Sequence, residues 1–175
     1  MDVKFTIDLF DKKHHKIDDF TCGVQELDRY IKERAGQEIK KKVSAVYVIC
    51  EKDSKQIIGY YTLSASSVEL NDLQEDVIRK LPKYKALPVI LLGRLAVDKR
   101  FQGKRMGEYL LIDALNRSYI LSRQIGSFAV IVDAKSEKSR DFYIKYGFIS
   151  LQDQPLKLYI SMSTIKDLVD NDVVS

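Results

Sequence analysis

The stretch "VILLGRLAV" (89–97) and the turn after it limit what this chain can fold into more than any other feature. Every position except Gly93 and Arg94 is apolar. That pattern predicts a central strand buried on both faces of a sheet. The turn "DKRFQGKRMG" leads into "EYLLIDALNRSYILSRQIG". Tyr109, Ile112, Leu115, Tyr119 and Ile120 recur there at three- and four-residue steps, which predicts a long helix stopped by Gly126.

The flanking segments suit the same architecture. "KFTIDLF" alternates and reads as a first strand. "VQELDRYIKERAGQEIKK" places Val24, Leu27, Ile31 and Ala35 on one helical face, with Cys22 or Gly23 at the cap and Gln25 or Glu26 in the third helical position. "SAVYVIC" and "QIIGYYTLSASSVEL", separated by the polar "EKDSK", predict a hairpin. "DLQEDVIRKL" predicts a short helix, and Pro82 and Pro88 bracket a loop after it. "FAVIVDA" predicts a second buried strand. "SEKSRDFYIKYGF" opens on Ser136 as an N-cap, with Ser139 three residues on, and ends at the C-cap glycine Gly147. "FISLQ" and "LKLYISM" finish as strands. The expected fold is α/β (α+β) on a single mixed sheet, and 175 residues suit one domain over 1–175.

Charge is unevenly spread. Between Arg79 and Arg105 stand nine cations (Arg79, Lys80, Lys83, Lys85, Arg94, Lys99, Arg100, Lys104 and Arg105) and one acid, Asp98. The window carries +8 while the whole chain carries only +4. A local cationic field of that kind suits an anionic ligand or a nucleic acid. Other classes are disfavoured. No window approaches the roughly 18 apolar residues of a membrane span. "MDVKFTIDLFDKKHHK" lacks the apolar region of a signal peptide, so the expected location is cytoplasmic. Cys22 and Cys50 are too few for a disulfide framework. His14 and His15 have no acid or thiol at ligand spacing, and no metal is expected.

The turn itself suggests phosphate chemistry. The first N–H groups of a helix lack intrahelical acceptors, and the macrodipole adds partial positive charge. An anion docked there accepts several of those bonds. Gly103 and Gly107 let the backbone come close, and Arg100, Lys104 and Arg105 add charge. No GK[ST] and no GxGxxG occurs, so neither a P-loop nor a dinucleotide fingerprint is present.

"RLAVDKRFQGKRMGEYLL" resembles motif A of the GNAT acyl-CoA N-acyltransferases, Gln/Arg-x-x-Gly-x-Gly/Ala. Arg100-x-x-Gly103 fits its start, and Arg105 stands where that family usually has Gly or Ala. "DAKSEKSRDFYIKYGF" resembles motif B, a helix ending in FYxxxGF. The resemblance implies a GNAT fold: one central sheet, helices on both faces, and a slot between splayed parallel strands, here "LGRLAV" and "FAVIVDA". It implies acetyl-CoA as cosubstrate, with the pyrophosphate on the backbone amides of Gln102, Gly103, Lys104, Arg105, Met106, Gly107 and Glu108. The pantetheine arm would pair with Leu95, Ala96 and Val97, and motif B adds Ser136, Ser139 and Phe142 to the cofactor side. Tyr143, seven residues after Ser136, matches the family's tyrosine near the CoA sulfur. A phenol stays protonated at neutral pH and can donate to a leaving thiolate. No acid lies between Val89 and Val97, so a water chain or an already deprotonated amine is the expected base.

The N-terminal half resembles one subgroup. "FTCGVQELDRYIKERA" is similar to the FxCGxxxLDxFL signature of acetyltransferase toxins of type II toxin–antitoxin pairs. Such toxins acetylate the α-amine of an aminoacyl-tRNA and block translation. They pair with a ribbon–helix–helix antitoxin and are commonly homodimers. The basic window suits a tRNA acceptor stem, with Lys83, Lys85 and Arg94 as the expected contacts. Two readings compete. One is an acetyltransferase for a small amine or a protein N-terminus. The other is a CoA-binding interaction module without turnover.

Overall fold

The computed structural model describes residues 4–172, and the domain bounds 1–175 expected from sequence run past them at both ends. Among the described residues there are seven strands: β1 (Phe5–Leu9), β2 (Ala45–Glu51), β3 (Ile57–Glu69), β4 (Ala86–Val97), β5 (Ala129–Asp133), β6 (Ile149–Leu151) and β7 (Gln154–Ser161). They form one sheet in the order β1-β2-β3-β4-β5-β7-β6. It is mixed: β4 and β5 are parallel, while β1–β2, β2–β3, β5–β7 and β6–β7 are antiparallel. The helices are α1 (Gln25–Arg29), α2 (Ala35–Lys40), α3 (Glu75–Ile78), α4 (Met106–Ser122), α5 (Glu137–Lys145) and α6 (Met162–Asp172). No helix among the described residues is long and apolar enough to cross a membrane.

The chain divides into two compact units, one holding residues up to Ser64 with Gly93–Ala114, the other Ala65–Leu92 with Leu115 onward. The first is built on an aromatic core. Tyr30 and Tyr60 stack at 6.0 Å, and Phe20 meets Tyr60 edge-on at 5.8 Å. Gly59 on β3 is required by close approach, because a Cβ there would lie 2.7 Å from the Ala96 carbonyl oxygen and 2.9 Å from Leu110 Cδ1.

The helix expected over "VQELDRYIKERAGQEIKK" is broken into α1, a π-turn over Tyr30–Arg34, and α2. The Tyr60 hydroxyl donates to the Leu27 carbonyl at 2.7 Å, where the α-pattern gives way. A side chain entering the ladder is a recognised cause of such a break. The wider turn buries both Tyr30 and Ile31. The cap also differs from expectation. Val24, exposed, is the N-cap rather than Cys22 or Gly23, and no side chain caps from that position. Asp28 instead reaches back to the Cys22 N–H at 2.8 Å, and the Thr21 hydroxyl donates to it at 3.1 Å.

The second unit packs Leu73, Val89, Ala129, Ile131 and Tyr159 together. Gln74 braces it, accepting from the Tyr159 hydroxyl at 2.9 Å and donating to the Ser150 carbonyl at 2.7 Å. α5 matches its sequence reading: Ser136 Oγ accepts the Ser139 N–H at 3.1 Å, and Gly147 follows with φ +97°. Three expectations fail. Pro88 lies inside β4 rather than closing a loop. α4 ends at Ser122, and backbone bonds from Arg123, Gln124 and Ile125 finish the turn before Gly126. The chain does not finish on strands, because α6 follows β7, with Ser161 Oγ accepting the Thr164 N–H at 3.2 Å.

α4 also turns a different face inward. Leu115 is buried as expected, but Tyr109, Ile112 and Ile120 are exposed. Met106, Leu110, Leu111, Ala114 and Ser118 take the interior. This helix is apolar almost all round, so periodicity alone did not select the face.

Candidate active site

β4 is the backbone of the site. Its parallel register with β5 runs from Val89↔Ala129 to Leu92↔Val132, while β4 continues to Val97. Burial changes at the same place. Val89, Ile90 and Leu92 are buried, Gly93 is exposed, and Arg94, Leu95 and Val97 are half-buried around a buried Ala96. Two-faced burial is therefore confined to 89–92, where Leu91 is half-buried, and does not extend over 89–97, which corrects the sequence expectation.

Asp98 follows, fully buried at 0% exposure. Its carboxylate accepts the Arg100 N–H and Nε at 2.9 Å each, Arg100 Nη2 at 3.1 Å and the Thr21 N–H at 3.2 Å. Burial raises its pKa, but the hydrogen bonds from the Arg100 side chain and N–H and from Thr21 outweigh that, holding the carboxyl below its ordinary value. Lys99 N–H donates to the Thr21 carbonyl at 2.8 Å, and Gln102 Nε2 donates to the Cys22 and Val97 carbonyls at 2.9 Å each. The "FTC" segment is thus strapped to the turn at Asp98, Lys99 and Gln102. Sequence reading gave Asp98 no role. Its signal was available, as the one acid among nine cations.

Gly103 has φ +76° and open space where a Cβ would stand. Arg105 has φ +64°, a left-handed backbone that costs a non-glycine residue about 1 kcal/mol. The Arg105 carbonyl accepts the Tyr109 N–H at 3.1 Å, so α4 starts here, and the N–H groups of Met106, Gly107 and Glu108 fall in its first turn. Charge is more restrained than the sequence implied. Arg100 is held by Asp98, and Arg105 grips Glu108 with two bonds of 2.7 and 3.0 Å. Lys104 lies over the Phe101 ring at 5.3 Å. The open backbone at Gly103, the helix start and Lys104 fit a pyrophosphate, as a bound acetyl-CoA would present.

Arg94 makes no salt bridge among the described residues. Its guanidinium carbon lies 3.7 Å from the centroid of the Tyr30 ring, a stacked cation–π contact. The Tyr30 hydroxyl donates to Glu38 at 2.6 Å, and burial together with that bond pushes the phenol up to about 12. Neither Tyr30 nor Glu38 was singled out from sequence.

In the second unit, α5 carries Ser136, Ser139, Phe142 and Tyr143. Ser136 is exposed and Ser139 half-buried. Phe142 is half-buried, meeting Tyr143 and Tyr146 edge-on at 5.2 Å each. Tyr143 is the buried one, packed edge-on to Phe148 at 5.2 Å. Its hydroxyl makes no hydrogen bond among the described residues and is not sealed from solvent. Burial pushes this phenol up to about 12. Lys83 and Lys85 lie exposed before β4, and Lys83 Nζ donates to the Ile78 carbonyl at 2.7 Å.

Contrary to the sequence expectation, an acid does stand at ligand spacing, since His14 and His15 both lean on Asp11, and no group of three metal-ligating side chains occurs among the described residues. Both cysteines are free thiols.

The open backbone at Gly103 before the first turn of α4 is what a phosphate needs, and it does not by itself say whose phosphate. The sequence profile of the acetyltransferase (GNAT) domain matches residues 18–162, and the chain belongs to that family. A tRNA-acetylating toxin of Mycobacterium tuberculosis is 34% identical over 150 residues, covering 86% of this chain and 88% of that protein. A protein of Sinorhizobium fredii described as "Probable toxin TacT" is 30% identical over 174 residues, covering 95% and 96%. The structure of AtaT complexed with acetyl-methionyl-tRNAfMet is similar with a TM-score of 0.87 at 30% identity, covering 94% of this chain and 99% of that one. A tyrosine-to-phenylalanine mutant of AtaT, bound to the C-terminus of the antitoxin AtaR and to acetyl-CoA, is similar with a TM-score of 0.81 at 26% identity, covering 95% and 98%.

Proposed function

We propose that this acetyltransferase moves acetyl from acetyl-CoA to the α-amine of an aminoacyl-tRNA and so blocks translation, as the toxin of a type II toxin–antitoxin pair. The observation that carries this reading is the extent of likeness to AtaT in complex with acetyl-methionyl-tRNAfMet, which covers 94% of the chain. Similarity to the tRNA-acetylating toxin of Mycobacterium tuberculosis supports it.

In this reading acetyl-CoA supplies the activated thioester. The N–H groups from Gln102 to Glu108 hold its pyrophosphate, with Lys104 adding charge, and the backbone of Leu95, Ala96 and Val97 receives the pantetheine arm. Ser136, Ser139 and Phe142 complete the cofactor side. Tyr143 holds a proton on its hydroxyl for the departing sulfur, supported by a phenol with no hydrogen-bond partner among the described residues and by its raised pKa. The attacking amine gives up its proton to water, since an α-amine of an aminoacyl ester is less basic than a lysine. Arg94, Lys83 and Lys85 meet the nucleic acid.

The same reading places the enzyme in the cytoplasm with its charged tRNA, as one domain and as a homodimer. A ribbon–helix–helix antitoxin neutralises it, a role supported by the antitoxin C-terminus seen on AtaT. The test is transfer of label from acetyl-CoA to a bulk pool of charged tRNA, beside the same pool deacylated. Label on the charged pool alone is expected. Label on neither pool, with CoA still bound, moves the enzyme to small amines or peptide N-termini.

A further inference from the structure

One exposed ring has no place in the chemistry above. Tyr84 is 68% exposed and makes no hydrogen bond or ring contact among the described residues. It stands between Lys83 and Lys85 in a segment, 79–85, with four cations and no acid. Arg79 lies 3.9 Å from Glu75, while Lys80, Lys83 and Lys85 have no carboxylate within salt-bridge distance among the described residues.

The segment is pinned on both sides of the ring. Lys83 Nζ caps the end of α3 through the Ile78 carbonyl at 2.7 Å, and the Lys85 carbonyl accepts the Leu70 N–H at 3.0 Å. Leu81 packs on the core before it and Leu87 is buried after it. Pro82 narrows the backbone further. Burial therefore fixes the ends while the ring projects. A single exposed apolar residue is ordinary. An aromatic ring held out between lysines on a pinned loop is the arrangement that binds unpaired nucleic acid: the cations follow phosphates and the ring stacks on a base.

We propose that Tyr84 stacks on an unpaired nucleobase of the tRNA acceptor, making the 79–85 loop part of the nucleic-acid surface. This rests on the aminoacyl-tRNA reading given above. The chain contains no tryptophan, so Tyr84→Trp introduces a single indole at the contact, excited at wavelengths where tyrosine does not absorb. Bulk tRNA, charged or deacylated, is expected to quench its emission saturably, and acetyl-CoA is not. In steady state, Tyr84→Ala raises KM for charged tRNA about tenfold, and Tyr84→Phe stays within about twofold, because stacking needs the ring and not the hydroxyl. KM for acetyl-CoA and kcat stay unchanged in both. Transfer to charged tRNA without quenching keeps the reaction and overturns the contact. Quenching without transfer keeps the contact and removes the proposed reaction. A blue shift with anionic lipid vesicles, and no quenching by tRNA, overturns the contact and reassigns the loop to membranes.

Discussion

The buried carboxylate of Asp98 accepts the backbone N–H of Thr21 at 3.2 Å across 77 residues of sequence. That bond makes the turn after β4 depend on a segment that supplies none of its N–H groups. Asp98→Asn keeps the shape but loses charge-assisted bonds, and the expected cost is about 2 kcal/mol, read as a lower urea midpoint. The sign with pH follows from the depressed pKa. Asp98 contributes its stability above the unfolded carboxyl value, and the contribution is lost as pH falls through the folded value. The advantage of wild type over Asp98→Asn should therefore begin to shrink below about pH 4 and go as pH falls through the lower folded value. An unchanged gap between the two at pH 3 would remove the carboxylate from this role.

Arg105 combines a left-handed backbone with a bidentate grip on Glu108. Replacing it by glycine relieves the strain and loses only an exposed ion pair, so Arg105→Gly should stabilise the fold by about 0.5 kcal/mol. Because Glu108 already engages the guanidinium, KM for acetyl-CoA should stay within about twofold. Lys104→Ala, which removes an ammonium with no carboxylate partner among the described residues, should raise that KM about fivefold. Equal effects from the two substitutions would show that Arg105 leaves Glu108 to reach the ligand.

Tyr143→Phe should preserve the denaturation midpoint and the Kd for acetyl-CoA while turnover falls about 100-fold. The pH arm is independent of the assay. Burial pushes this phenol up to about 12, so tyrosinate absorbance from Tyr143 should appear only near that pH. Turnover should show no loss from its ionisation below pH 10. The neutral buried ring adds stability below the unfolded phenol value, near 10, and loses it as pH rises toward 12. Full turnover in the phenylalanine variant would assign the proton to another donor.

What the sequence made legible follows from how each signal is encoded. The Ser136 cap needed only local chemistry and stands as read, while the run at 89–97 announced a strand but not where its two-faced burial stops. The face of α4 needed tertiary information, because Tyr109 and Ile112 look as apolar as Leu110 and Leu111. The π-turn at Tyr30 depends on the Tyr60 hydroxyl, which comes from a distant strand. The strap from Thr21 and Cys22 to Asp98, Lys99 and Gln102 is likewise a long-range pairing, although the lone acid in the basic window marked one end of it. Arg105 was recognisable as a departure from the motif, but its backbone angle and its Glu108 partner were not.

Lys83 and Lys85 separate two effects of charge on one loop. Lys83 caps α3 through the Ile78 carbonyl, so Lys83→Glu places an anion at a helix C-terminus and should cost about 0.5 kcal/mol. Among the described residues Lys85 is held through its own carbonyl and its side chain has no partner, so Lys85→Glu should leave stability unchanged. On the proposed tRNA reading, both substitutions should act alike on nucleic acid. A lysine that no longer neutralises its phosphate lowers the slope of log affinity against log salt by about 1, so the double variant should bind tRNA more weakly with a slope smaller by about 2. Filter binding of bulk tRNA across a salt series measures both quantities. A wild-type slope in the double variant would make these lysines plain solvated surface, whatever the affinity at one salt concentration.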